Sequence, residues 1–321
     1  FRTPLKGDGR RNTSVKKVQN PPIIIPHSLM IRLFYLLFFL CLPLQLLLSV
    51  RPSAFSFPLN AVLAGCMVAL CIVAEREWGD SVSLRSLRSL RFSCHLLGTL
   101  AFCCVAGALL PYAHIPSDPS DPTSKPFSDF AVTLPFVFLL VCILMQLTLL
   151  MVHRVRKKGW RKNTVFLLVH GGLWLALLAG FAGSADYKDL RTLLPLSSSQ
   201  PSSRNGITTA YDREGRTIPL AYSLQTTGFR IKRSPADKSV VQYEADISID
   251  CAPAQRVAVN SPLTPRWNEN LYLVSYDQNN PSPTYVVVQI VRQPWRHLLL
   301  AGIVMLMLGT LLLFGRTKKT N

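Results

Sequence analysis

One histidine, His170, interrupts an otherwise apolar run, "NTVFLLVHGGLWLALLAGFAGSADYK", and is followed by Gly171, Gly172 and, one turn on, Trp174. An imidazole surrounded by apolar side chains costs free energy unless it has a partner. A ligand held by one ring nitrogen, with the other nitrogen donating to a neighbour, would supply that partner. A hydrogen bond to an adjacent helix would do so equally, with the two glycines serving ordinary helix packing. Residue types alone leave both readings open. Trp174, at i+4, lies on the same helical face as His170.

The other histidines are less pointed. His297 follows "RQPWR" at the mouth of the last apolar block, where an interfacial histidine is common, and a ligand role there is the weaker alternative. His95 and His153 fall at basic ends of apolar blocks and are expected to snorkel to headgroups. His114 begins a loop, and His27 lies in the leading segment. Seven of the eight cysteines sit in or beside apolar blocks, Cys251 stands apart, and no C-x-x-C occurs. That excludes a thioredoxin-like reductase and a cytochrome c heme-attachment motif in this chain. There is no nucleophile elbow and no phosphate-cradling glycine loop.

These side chains need elements to position them. The chain has 321 residues, 49% of them hydrophobic, a mean hydropathy of +0.26 and a formal charge of +18. Six blocks are long enough to cross about 30 Å of hydrocarbon, at 31–50, 58–74, 92–113, 130–152, 163–183 and 297–314. The charges alternate between them. Arg2, Lys6, Arg10, Arg11, Lys16 and Lys17 precede the first block, and Arg76, Arg85, Arg88 and Arg91 separate the second from the third. "RVRKKGWRK" separates the fourth from the fifth, and Arg316, Lys318 and Lys319 end the chain. The alternate connections carry only Arg51 and Lys125. By the excess of Lys and Arg in cytoplasmic loops, both termini are expected in the cytoplasm. The positive charge then records membrane insertion and contact with lipid headgroups rather than nucleic-acid binding.

Residues 1–30 form a basic segment with no folding pattern, and Met30 would make a natural initiator. The first block is longer than a secretory h-region and is expected to be a retained helix. Five spans then fill 31–183, an external domain fills 184–296, and the last span and a basic tail fill 297–321. Within 184–296, basic and acidic residues number 13 and 10, there is no histidine, and the first part is a polar, turn-rich linker. Strand-length runs follow: "AYSLQTTGFRIKR", "SVVQYEADISID", "QRVAVN", "NLYLVSYDQ" and "TYVVVQIVR", rich in Val, Ile, Tyr and Thr. The fold class expected is a polytopic α-helical membrane protein with an extracytoplasmic all-β domain, a sandwich or a sheet layer.

The order of elements from Lys162 to Phe314 resembles the ResB (CcsB) family of system II cytochrome c biogenesis. The resemblance is carried by "VHGGLWLALLAGFAGS", by Val259-Asn260-Ser261-Pro262-Leu263, by Tyr272 and Tyr276, and by the return through Arg292, Pro294 and Trp295. It implies a membrane subunit that holds or conducts heme and supports its attachment to apocytochrome c with a CcsA-like heme-handling partner. It implies a bacterial inner-membrane location. It further implies that His170 is an axial ligand to heme iron, with Gly171 and Gly172 admitting the flat macrocycle and Trp174 packing on its edge; His297 would be a secondary candidate. The chain departs from the family in carrying four spans before the matching region. It also lacks the tryptophan-rich motif of CcsA, so the unfused form is expected. It carries no catalytic dyad of its own.

Two other functions compete. One is an assembly scaffold or receptor whose β domain binds an external partner without ligating heme. The other is a secondary transporter, against which no acidic residue falls inside a block and no half of the chain is repeated.

Overall fold

The computed structural model describes residues 27–48, 56–109, 133–196, 206–212, 215–237 and 239–317. His114, Arg51, Lys125, Lys318, Lys319 and the basic residues before position 27 lie outside these segments. Six helices are long and apolar enough to cross a membrane. They are α1 (His27–Leu48), α2 (Leu59–Trp78), α4 (Leu90–Leu109), α5 (Leu134–Lys158), α6 (Thr164–Asp186) and α7 (Arg296–Thr317), with a short α3 (Val82–Leu87) joining α2 to α4. Ser81 starts α3 by accepting the Leu84 N–H at 3.3 Å, as an N-cap should. Gly159 ends α5 at φ 75°, where a side chain would be strained, and its N–H returns to the Val155 carbonyl.

α5 is the centre of the helical part. Its apolar window is 56% buried, against 11–22% for the other five. Those five turn large apolar side chains such as Leu36, Leu70, Phe102 and Leu311 outward, which suits a hydrocarbon solvent and not water. Against α5, the cluster of Phe34, Phe38, Phe92, Leu96, Leu139 and Ile143 closes the packing of α1 and α4. Tyr35 on α1 shares a 3.0 Å hydrogen bond with His95 Nδ1 on α4. His95 therefore does not snorkel: an unsatisfied phenol at this depth would cost more than headgroup hydration returns.

α6 and α7 pack most closely. A Cβ on Gly172 would come within 2.6 Å of the Leu306 backbone nitrogen and 2.7 Å of the Gly302 carbonyl oxygen, and one on Gly302 would meet the Ala176 nitrogen at 2.6 Å. Small residues facing each other let two backbones touch where lipid offers no hydrophobic drive for association. Gly172→Leu is expected to separate the pair and cost about 1–3 kcal/mol. A lowered thermal midpoint of the detergent-solubilised chain, with Gly180→Leu unchanged at an open position, checks this.

The helix pair continues directly into strands. β1 (Lys188–Pro195) leaves α6, β8 (Tyr285–Arg292) leads into α7, and the two pair antiparallel along their whole length, from Lys188 with Arg292 to Pro195 with Tyr285. Around them lie β2 (Ile207–Tyr211), β3 (Thr217–Arg233), β4 (Val240–Ile249), β5 (Gln255–Ala258), β6 (Leu263–Arg266) and β7 (Glu269–Tyr276). Together they make one antiparallel sheet in the order β5-β4-β3-β2-β1-β8-β7-β6. The stretch expected to be a linker, 193–220, thus holds the end of β1, all of β2 and the start of β3, and the sheet is a single layer rolled on itself. Tyr243 on β4 donates to the Val274 carbonyl on β7 at 2.6 Å, and Ala258 bridges Ser261 where the two ends meet. Leu190, Leu194, Leu224, Ile247, Leu271 and Ile290 fill the interior. Inside it, the Tyr222 hydroxyl donates to Glu269 at 2.8 Å while Arg292 forms an ion pair with the same carboxylate. Burial, and then the Glu269 carboxylate, push the Tyr222 phenol above its ordinary range.

Candidate functional site

The turn between α5 and α6 is built to hold its shape. Buried Asn163 donates to the carbonyls of Arg154 at 3.1 Å and Gly159 at 2.8 Å, tying the start of α6 to the end of α5. From that clamp, six residues at 1.5 Å each carry the helix about 9 Å from Thr164 to His170. Phe166 and His170 are one turn apart and stack, their ring centroids separated by 3.9 Å with planes 24° apart. The Arg154 guanidinium lies over the same Phe166 ring, 4.2 Å from its centroid. Phe166 thus meets both a guanidinium and an imidazole.

The half-buried imidazole is polarised in one sense. His170 Nδ1 lies 3.0 Å from the Phe166 carbonyl oxygen. A carbonyl only accepts, so Nδ1 carries the proton and Nε2 keeps its lone pair in the neutral ring. Nε2 has no partner among the described residues. His170 also lines a cavity of about 280 Å³ with Arg154, Lys162, Asn163, Val165, Phe166, Val169 and Leu313. The stack with Phe166 covers a face of the ring, whereas a ligand bond to Nε2 would lie in the ring plane, so the two do not compete. A bare imidazole nitrogen, an apolar wall and two cations are a donor set that fits an amphipathic anionic metal macrocycle.

The other sequence candidates do not join this cavity. Gly172 is occupied by the α7 backbone, and a Cβ on Gly171 would sit 3.7 Å from Met151 and Met305 side chains. Trp174 packs with Leu177 against the α1/α4/α5 cluster, its indole N–H buried without a partner among the described residues. His297 is at the opposite end of α7, where it stacks on exposed Trp267 at 4.2 Å. No group of three His, Cys, Asp or Glu side chains gathers around a possible metal position among the described residues.

Two polar clusters were hidden from the sequence because they begin where the apolar blocks stop. At the sheet end, Asp186 closes α6 and accepts from the Phe57 N–H at 2.9 Å, Asn60 Nδ2 at 3.0 Å and Trp295 Nε1 at 2.6 Å. Beside it, an apolar cavity of about 340 Å³ opens between α2, α5 and α6, lined by Leu63, Met67, Val141, Leu178 and Phe181. At the other end, α2 runs past residue 74 and brings in Glu75, which is fully buried. It pairs with Arg88, and with His153 Nδ1 at 2.5 Å, while Arg156 donates to its carbonyl. A helix of the bundle thus does carry a buried acid, and His153 turns inward to it instead of snorkelling. The signal was available in "AEREW": a carboxylate one turn before a helix end, with basic helix ends nearby to receive it.

No family model matches the chain, and no curated protein matches it. Solved structures that it resembles include one described as cytochrome c heme lyase CcmF, at a TM-score of 0.35 and 15% identity. That alignment covers 89% of this chain and 44% of the other, so the chain spans less than half the length of that protein.

Proposed function

We propose that the chain is a membrane subunit of the system II cytochrome c biogenesis machinery that holds heme through His170. The observation that carries this reading is the tautomer imposed on His170, with Nδ1 committed to Phe166 and Nε2 left bare beside a cavity. The ResB-like words of the sequence, from Lys162 to Phe314, support it. In this reading the basic helix ends face the cytoplasm of a bacterial inner membrane, and the sheet stands on the extracytoplasmic side. His170 would then lie near the inner face, at the start of an outward path. The sheet would dock a CcsA-like subunit and apocytochrome c, at which the covalent attachment takes place.

The bound heme would supply the vinyl groups and the iron, and this chain would supply ligation, orientation and shelter from water. His170 would hold the iron through the lone pair at Nε2. The Phe166 carbonyl fixes the ring by accepting from Nδ1. Phe166 and Val169 keep the wall apolar.

Titrating ferric heme into the purified full-length chain tests this. The expected result is a saturable Soret band at one heme per chain, with the spectrum of an imidazole-ligated iron. A chain that stays colourless would overturn the reading and favour a scaffold whose sheet binds an external partner.

A further inference from the structure

Resting on that reading, we propose that Arg154 and Lys162 bind the two carboxylates of the tetrapyrrole, so that the cavity beside His170 selects a dianionic ring over a neutral one. Both cations line the same cavity as His170. Three of their neighbours in the basic run have partners of their own. Arg156 serves the Glu75 carbonyl, Lys157 reaches Asp80 at 3.3 Å, and Arg161 lies over the Trp160 ring. Arg154, like Arg161, lies over an aromatic ring, and neither Arg154 nor Lys162 meets an acid among the described residues; what sets these two apart is that both line the cavity.

The geometry of the hairpin sets their spacing. Arg154 comes from the last turns of α5, and Lys162 from the 3-10 turn Arg161–Asn163 just before α6. Asn163 holds both segments together by its two bonds to carbonyls. Two cationic residues thus share the lining with apolar Val165, Val169 and Leu313. A planar ring bearing two carboxylates on one edge matches that division, its apolar body toward the valines and its charged edge toward the cations. Guanidinium suits a carboxylate because two N–H groups can meet its two oxygens, and ionised partners make the stronger hydrogen bonds. A lipid headgroup phosphate would offer the same anionic chemistry at this depth, so the test separates the two sources.

The full-length chain in a neutral detergent is titrated with ferric protoporphyrin IX and with its dimethyl ester, followed by Soret absorbance. Wild type is expected to bind the diacid about tenfold or more tighter than the diester, each tenfold being one decade in Kd. Arg154→Gln with Lys162→Gln is expected to abolish that preference while leaving the imidazole-ligated spectrum intact. Equal affinity of wild type for diacid and diester would overturn the proposal and leave His170 ligation standing. So would phosphatidylglycerol that co-purifies with wild type but not with the double variant, at unchanged diacid affinity, because the cations would then serve lipid phosphate. Failure of wild type to bind either porphyrin would remove the ligation reading, and this proposal with it.

Discussion

Glu75→Ala lowers the thermal midpoint of the solubilised chain by roughly 5–10 °C, the largest stability effect expected of any single polar residue in the bundle. Glu75 is fully buried, and its main partner Arg88 has a side chain only 8% exposed. Removing one member of such a pair leaves the other charge without compensation, a loss of about 3–5 kcal/mol. Arg156 contributes less to the difference, since its side chain is 48% exposed and stays hydrated. Arg88 also donates to the Gly79 carbonyl at 2.7 Å, so the cluster joins α2, the α3–α4 turn and α5 at one end of the bundle. Replacing both Glu75 and Arg88 by leucine should cost less than Glu75→Ala alone, because no orphan charge remains. A midpoint for Glu75→Ala equal to wild type would show that water or headgroups reach the cluster and that it holds nothing together.

The same carboxylate bears on the candidate site. His153 and Arg156 face Glu75, whereas Arg154 faces Phe166. One turn of α5 thus divides its charges between two neighbours. Loss of Glu75 frees His153 and Arg156 and loosens the end of α5 that presents Arg154. Heme titration of that variant should show weakened affinity with an unchanged spectrum, the mark of a positioning effect.

The spans were legible because eighteen apolar residues in a row have few other uses. Their ends were not. The second block stopped at the first charges, yet α2 continues through Glu75 to Trp78, since a carboxylate surrounded by two arginines and a histidine tolerates burial. The later strands were visible in the alternation of "YVVVQIVR" and "NLYLVSY". β1 was missed because "KDLRTLLP" runs into a polar stretch, and the strand that completes its pairing, β8, lies some hundred residues on. Gly172 stood in the sequence with two uses, and Gly302, far away on α7, decides that it packs helices. Arg154 read as one of six basic residues in a topology signal. What singles it out is its place in the lining of the His170 cavity and over the Phe166 ring, neither of which a charge count contains.

His170→Ala is the second large effect. Removing an outer partner of a metal-binding histidine already costs about 10–100-fold in affinity, so removing the histidine itself should cost at least as much. Truncation at Cβ also leaves a hole beside Phe166 that a free imidazole can enter. The decisive measurement is the absorption spectrum of the full-length chain, loaded with heme and reduced, for wild type, for His170→Ala, and for His170→Ala supplied with imidazole. Sharp reduced bands are expected in wild type, with their loss in the variant and their return with imidazole. Bands unchanged by His170→Ala would contradict it, for the iron would then be held by another residue and the imidazole at this turn of α6 would be no ligand.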